Sequence, residues 1–129
     1  MEYSFAPITL SVAAQKDMLL IVRLTSAGAL TRAGLTLEDT DRFKAAAEEA
    51  CGCFLSQDVP PERLTLTYTC ESGRLTLTAD AEEPDGLPGG IDPDEAEVIR
   101  CILAALCDQA EITIRDGRVR RVRLTKEAV

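Results

Sequence analysis

Between Arg63 and Asp80 the chain alternates on both sides of a short turn. Leu64, Leu66, Tyr68 and Cys70 are interleaved with Thr65, Thr67 and Thr69; beyond Glu71-Ser72-Gly73, Leu75, Leu77 and Ala79 are interleaved with Thr76, Thr78 and Asp80. A period of two puts successive side chains on opposite faces of a strand. Two such runs around a short glycine-containing turn fold back as an antiparallel hairpin. One face of the sheet is then leucine and must be covered, while the other is threonine. Everything else in the chain has to cover the first face or extend the sheet.

The remaining segments supply both. Ile8 to Val12 alternates as a further strand with one buried face. Asp17 to Arg32 carries Leu19, Val22, Ser26, Ala29 or Leu30, and Ala33 at helical spacing, with Gly34 as its left-handed stop. Thr36 caps a second helix, whose stripe is Phe43, Ala46 or Ala47, Ala50 and Phe54; it ends before Pro60-Pro61. Glu82 to Gly90 reads as a loop, with Gly89-Gly90 a flexible pair. Asp92-Pro93 opens a third helix with Val98, Ile102 and Leu106 on one face, widened by Ile99 and Leu103. Glu111 to Arg115, Asp116-Gly117 and Arg118 to Thr125 form a second hairpin. The order is strand, helix, helix, strand, strand, helix, strand, strand. It predicts an α/β (α+β) two-layer sandwich, with a mostly antiparallel sheet covered on one face by about three helices.

Composition narrows the function classes. A chain of 129 residues fits one domain over residues 1–129, and 46% hydrophobic residues can bury a core. Aromatics are 4% with no Trp, so that core is aliphatic. The net charge of −8 argues against nucleic acid as a partner, because phosphate backbones repel it. Arg115, Arg118, Arg120, Arg121 and Arg123 are the local exception; they serve either an acidic partner or protection of a strand edge. By alternation Arg118 and Arg120, with Arg115, fall on one face and Arg121 and Arg123 on the other. His is absent, which excludes His-based triads, His metal sites and His pH switches. The five Cys are scattered among apolar residues, and Met1-Glu2-Tyr3-Ser4-Phe5 carries no export signal. No run reaches the ~20 apolar residues of a membrane helix. The expectation is a reduced, cytoplasmic protein without membrane partners. Cys51 and Cys53 lie two apart on a helix and point in different directions, so they read as core thiols; Cys70, Cys101 and Cys107 read the same way.

Several short motifs occur in this order along the chain. They are Leu10-Ser11-Val12-Ala13-Ala14, Arg32-Ala33-Gly34, Glu49-Ala50-Cys51-Gly52-Cys53, Leu106-Cys107-Asp108-Gln109-Ala110 and Leu124-Thr125-Lys126. With the element order they resemble the anti-sigma-factor serine kinases of bacteria. Those enzymes belong to the Bergerat-type ATPase superfamily of histidine kinases, gyrase and Hsp90 chaperones. The resemblance spans nearly the whole chain. It implies an ATP and magnesium site in which Glu49 polarises the attacking group. An asparagine one turn later would hold Mg²⁺, and an aspartate in Asp-x-Gly would hold adenine. Glu49 is in place and Asp80 matches the aspartate. Cys53 replaces the asparagine, and a thiol is a poor magnesium ligand. Glu82 stands where glycine is expected, and Glu97, Val98, Ile99 and Arg100 stand where the phosphate-binding glycines belong. Glu82, Glu83, Asp92, Asp94, Glu95 and Glu97 would face a triphosphate with only Arg100 near. By alternation Asp80 lies on the threonine face, whereas the family needs it facing the helices. Either a bulge near Ala79 turns it, or it is a solvated strand-end residue.

The expectation is a regulatory protein-binding module with a degenerate ATP site, no metal, no cofactor and no catalysis. Its partner would be a sigma factor or an anti-sigma antagonist, and the resemblance implies a homodimer through the early strand and helix. Two alternatives stand beside it. One is an active kinase using Glu49 as base and Asp80 for adenine, with Asp41 or Glu48 supplying oxygen to the metal. The other is a non-catalytic structural subunit meeting its neighbours through the threonine face.

Overall fold

The computed structural model describes residues 4–127; the ends of the expected 1–129 span, Met1 to Tyr3 among them, lie outside the described residues. The elements are β1 (Phe5–Ala13), a 3-10 turn (Lys16–Met18), α1 (Leu19–Ala33), α2 (Leu37–Leu55), β2 (Arg63–Glu71), β3 (Arg74–Glu82), α3 (Pro93–Leu106), β4 (Gln109–Arg115) and β5 (Arg118–Glu127). The strands form one sheet in the order β1-β2-β3-β5-β4, and every neighbouring pair is antiparallel. β3 and β4 are linked through α3 and separated by β5, so the final hairpin inserts its second strand beside β3.

Local chemistry explains the boundaries. Thr36 caps α2, its hydroxyl accepting from the Asp39 N–H at 3.1 Å. Gly34 ends α1 at φ +75°. Both hairpins turn on a residue pair with positive φ, Ser72-Gly73 and Asp116-Gly117, which suits the right-handed strand twist. Pro93 sits in the first turn of α3.

The leucine face of the hairpin is the core face. Leu64, Leu66, Tyr68, Leu75, Leu77 and Ala79 are buried against Val22, Ala29 and Leu30 of α1 and Phe43, Ala50 and Phe54 of α2. Each fully buried large aliphatic side chain contributes about 1.5–3 kcal/mol. A polar link through this layer joins Ser26 of α1 to Tyr68 of β2, oxygen to oxygen at 2.6 Å, so neither hydroxyl is left unpaired.

Three expectations are corrected. In α3 the buried stripe is Ala96, Ile99 and Leu103, while Val98 and Ile102 are exposed; α3 is rotated by about one residue, or 100°, from the expected face. Cys101 is exposed, whereas Cys51, Cys53, Cys70 and Cys107 are buried. Finally, strict alternation fails in β5. Ile114 pairs with Val119 and Thr113 with Arg121, so Arg120 is an extra, bulged residue. The bulge lets Val119 and Val122 both reach the core although they are three positions apart.

Candidate functional site

Glu49 and Cys53 sit one turn apart on α2. Glu49 is half-buried and Cys53 is fully buried. Burial pushes the Cys53 thiol up to about 12, helped by the carboxylates of Glu95 and Glu49. The first turn of α3 therefore brings Glu95 toward the same α2 surface. The junction of α2 and α3 holds a protonated core thiol beside two carboxylates. Among the described residues, no group of three or more His, Cys, Asp or Glu is placed to hold a metal ion.

Asp80 is elsewhere. The β2–β3 register runs unbroken from Arg63 opposite Glu82 to Glu71 opposite Arg74, so no bulge turns Asp80 toward the helices. It stays on the threonine face between Thr65 and Arg121. Arg121 Nε donates to its Oδ1 at 2.6 Å. The structure thus brings Glu49 and Cys53 together and leaves Asp80 on the other side of the sheet.

The segment between β3 and α3 is a strap with a buried anchor. Glu83 receives two hydrogen bonds from Arg118, from Nε at 2.7 Å and Nη2 at 2.6 Å. Arg118 Nη1 also donates to the carbonyl of Pro88 at 2.9 Å. The two side chains are only 2% and 0% exposed. Arg120 approaches the same carboxylate at 3.3 Å. The bond from Arg118 holds the Glu83 carboxyl below its ordinary range, and the same pairing holds the Arg118 guanidinium up.

The strap is also clamped by backbone. Ile91 N–H donates to the Gly117 carbonyl at 2.9 Å. A Cβ on Gly90 would lie 1.8 Å from that carbonyl oxygen, so only glycine allows the contact. Gly89 has φ +73° and its carbonyl lies beside Arg118. The pair is therefore a close-packed crossing rather than a flexible loop. Gln57 secures the neighbouring turn: its Oε1 accepts from Val119 N–H at 2.9 Å and its Nε2 donates to the Phe54 carbonyl at 3.1 Å.

Sequence reasoning missed Glu83, Arg118, Gln57 and Gly90 as a unit. Glu83 reads from the sequence as one of the acids a triphosphate would face, yet it is paired with an arginine 35 residues away in the C-terminal cluster. Arg100, the expected cation, is engaged by Glu97 on its own helix at 2.7 and 3.0 Å. A signal was available: a two-glycine run beside a turn glycine marks close backbone approach as well as flexibility.

The sheet face away from the helices is open and carries two grooves. One, of about 310 Å³, is lined by Thr69, Glu71, Arg74, Thr76 and Arg123. The other, of about 300 Å³, is lined by Asp80, Thr113, Arg115, Arg120 and Arg121. Neither is lined by Glu49 or Cys53.

An open five-stranded antiparallel sheet with three helices on one face is a fold this chain shares with a solved structure. The particular likeness is to the crystal structure of the RsbU and RsbW domains of Rv1364c from Mycobacterium tuberculosis, with a TM-score of 0.72 at 15% identity. The match covers 95% of this chain and 32% of that one, so this chain spans about a third of its length. At that identity the likeness shows a distant relationship of fold. No protein-family model and no curated protein matches the sequence.

Proposed function

We propose that the chain is a cytoplasmic regulatory module of the anti-sigma-factor type that acts by binding protein and transfers no phosphate. The reading is supported by the fold likeness together with the sequence resemblance. The observation that carries it is Cys53. The position that would hold magnesium is a core thiol kept protonated at neutral pH, and the hard cation prefers oxygen. The other residues fit Mg-ATP no better. Glu95 adds negative charge beside Glu49, Asp80 is committed to Arg121 on the far face, and the strap leaves Arg118 spent on Glu83.

A protein partner suits the surface. The net charge of −8 disfavours nucleic acid, and among the described residues no helix is long and apolar enough to cross a membrane. A sigma factor or an anti-sigma antagonist is the proposed partner. Self-association through α1 and β1 is part of the proposal: Leu20 and Leu24 of α1 are 56% and 60% exposed beside an edge strand.

Calorimetric titration with ATP and ADP, with and without Mg²⁺, tests the reading. Neither nucleotide is expected to give a binding heat, and Glu49→Ala is expected to change nothing. Micromolar Mg-ATP affinity, with phosphate transfer that Glu49→Ala abolishes, would restore the kinase reading. Co-purification of a sigma factor with the tagged chain separates a regulator from a structural subunit, and sedimentation tests the dimer.

A further inference from the structure

The arginine cluster is only partly absorbed by the strap, and the rest of it lines the open sheet face. We propose that this face is the docking surface for an acidic, extended segment of a protein partner. The proposal rests on the protein-binding reading above and assigns its contact surface.

Charge complementarity is the first argument. The two grooves carry Arg74, Arg115, Arg120, Arg121 and Arg123 against only Glu71 and Asp80. The whole chain has the opposite balance, 14 basic to 22 acidic residues. A folded chain with surplus acid has carboxylates available to neutralise its cations. Yet Arg115 and Arg123 form no ion pair with any described residue, although Arg74, Arg120 and Arg121 do.

The second argument is an orphaned donor. Arg120 turns its Nη atoms toward Glu83 at 3.3 Å and Asp85 at 3.9 Å. Its Nε is buried with no hydrogen-bond partner. The Arg120 side chain is 20% exposed and its charge is met by Glu83, so what is left over is one unmet N–H of hydrogen-bonding capacity. Here it belongs to a residue lining the second groove.

Geometry specifies the occupant. Both grooves lie on the face set by Thr76, Thr78 and Asp80 of β3, in register with Thr125, Arg123 and Arg121 of β5. Thr76 lines one groove and Asp80 the other, four positions apart on one strand, which is about 13 Å. An extended segment with carboxylates about four residues apart reaches both. Thr69, Thr76 and Thr113 offer hydroxyl donors on its path.

A fluorescein-labelled octaglutamate peptide tests the surface by anisotropy at about 20 mM salt, where surface charges are weakly screened. Binding is expected, with amide shifts confined to the groove-lining ends of β2, β3, β4 and β5. Arg115→Glu with Arg123→Glu is expected to weaken it roughly tenfold. Lys16→Glu with Arg32→Glu changes net charge equally, away from the sheet, and is expected to stay within about twofold. Both arginines are exposed, and unchanged amide spectra outside the grooves verify folding. The proposal is overturned by absent peptide binding, by equal loss in the two pairs, or by equal binding of a labelled oligothymidylate of the same charge. It is also overturned if Arg115→Glu with Arg123→Glu turns a dimer into monomer, which would make the face a contact between copies. A co-purified partner that survives this double variant refutes the surface alone and leaves the protein-binding reading standing.

Discussion

Arg118→Ala isolates the anchor of the strap. The substitution leaves the Glu83 carboxylate, 0% exposed, with only Arg120 at 3.3 Å for charge. It also removes the donor to the Pro88 carbonyl. Stripping one partner from a buried pair costs about 3–5 kcal/mol, because the remaining charge is stranded. That is a large part of the ~5–15 kcal/mol that stabilises a typical domain. It corresponds to a fall in Tm of roughly 10–15 °C at this size. Replacing both partners, Arg118→Met with Glu83→Leu, removes the stranded charge and is expected to recover most of the loss. Urea unfolding followed by circular dichroism suits a chain without Trp. The pH dependence carries the same information. Arg118 holds Glu83 below its ordinary value of 4.5. The pair's contribution is therefore complete above that value and is lost as pH falls through the lower, folded one. Glu83→Gln should flatten this part of the acid profile. A cost below about 1 kcal/mol for Arg118→Ala is what an exposed pair gives, and it would refute the buried-anchor argument.

Gly90→Ala is expected to destabilise by at least about 2 kcal/mol, since its Cβ has nowhere to go. Gly28→Ala, where a Cβ on α1 meets nothing within 4 Å, is expected to stabilise by about 0.5–1 kcal/mol; thermal melts compare the two. Thiol titration of the native protein near pH 8 should find Cys101 reacting fast, since it alone of the five Cys is exposed. Cys51 and Cys53, pushed up to about 12 by burial, should react only on unfolding. Fast modification of Cys53 would remove the basis of the degenerate-site reading.

The first hairpin was legible because its period-two pattern and turn allow one register only, and both faces came out as read. α1 and α2 were legible for the same reason at helical spacing. α3 was not: Val98, Ile99, Ile102 and Leu103 make its apolar stripe wider than any one face. Which part is buried depended on where β4 and α2 meet it. The Asp80 question was framed by alternation and answered by register, since an unbroken β2–β3 ladder admits no turn of that side chain. The separation of Arg118 from Arg121 and Arg123 was visible by alternation, but Arg118's burial in the strap and Arg115's place beside Arg121 were not. A bulge at Arg120 sends Arg118 into the strap and leaves Arg121 and Arg123 on the open face.

Short-range pattern needs only near neighbours, and so the order of strands and helices and the threonine face followed from the chain itself. Pairings across distance were decided by folding alone: Glu83 with Arg118, Gly90 against Gly117, Gln57 with Val119, and Asp80 with Arg121. A buried charge or a missing Cβ acquires its meaning from what lies within a few ångströms, and sequence separation carries no record of that distance.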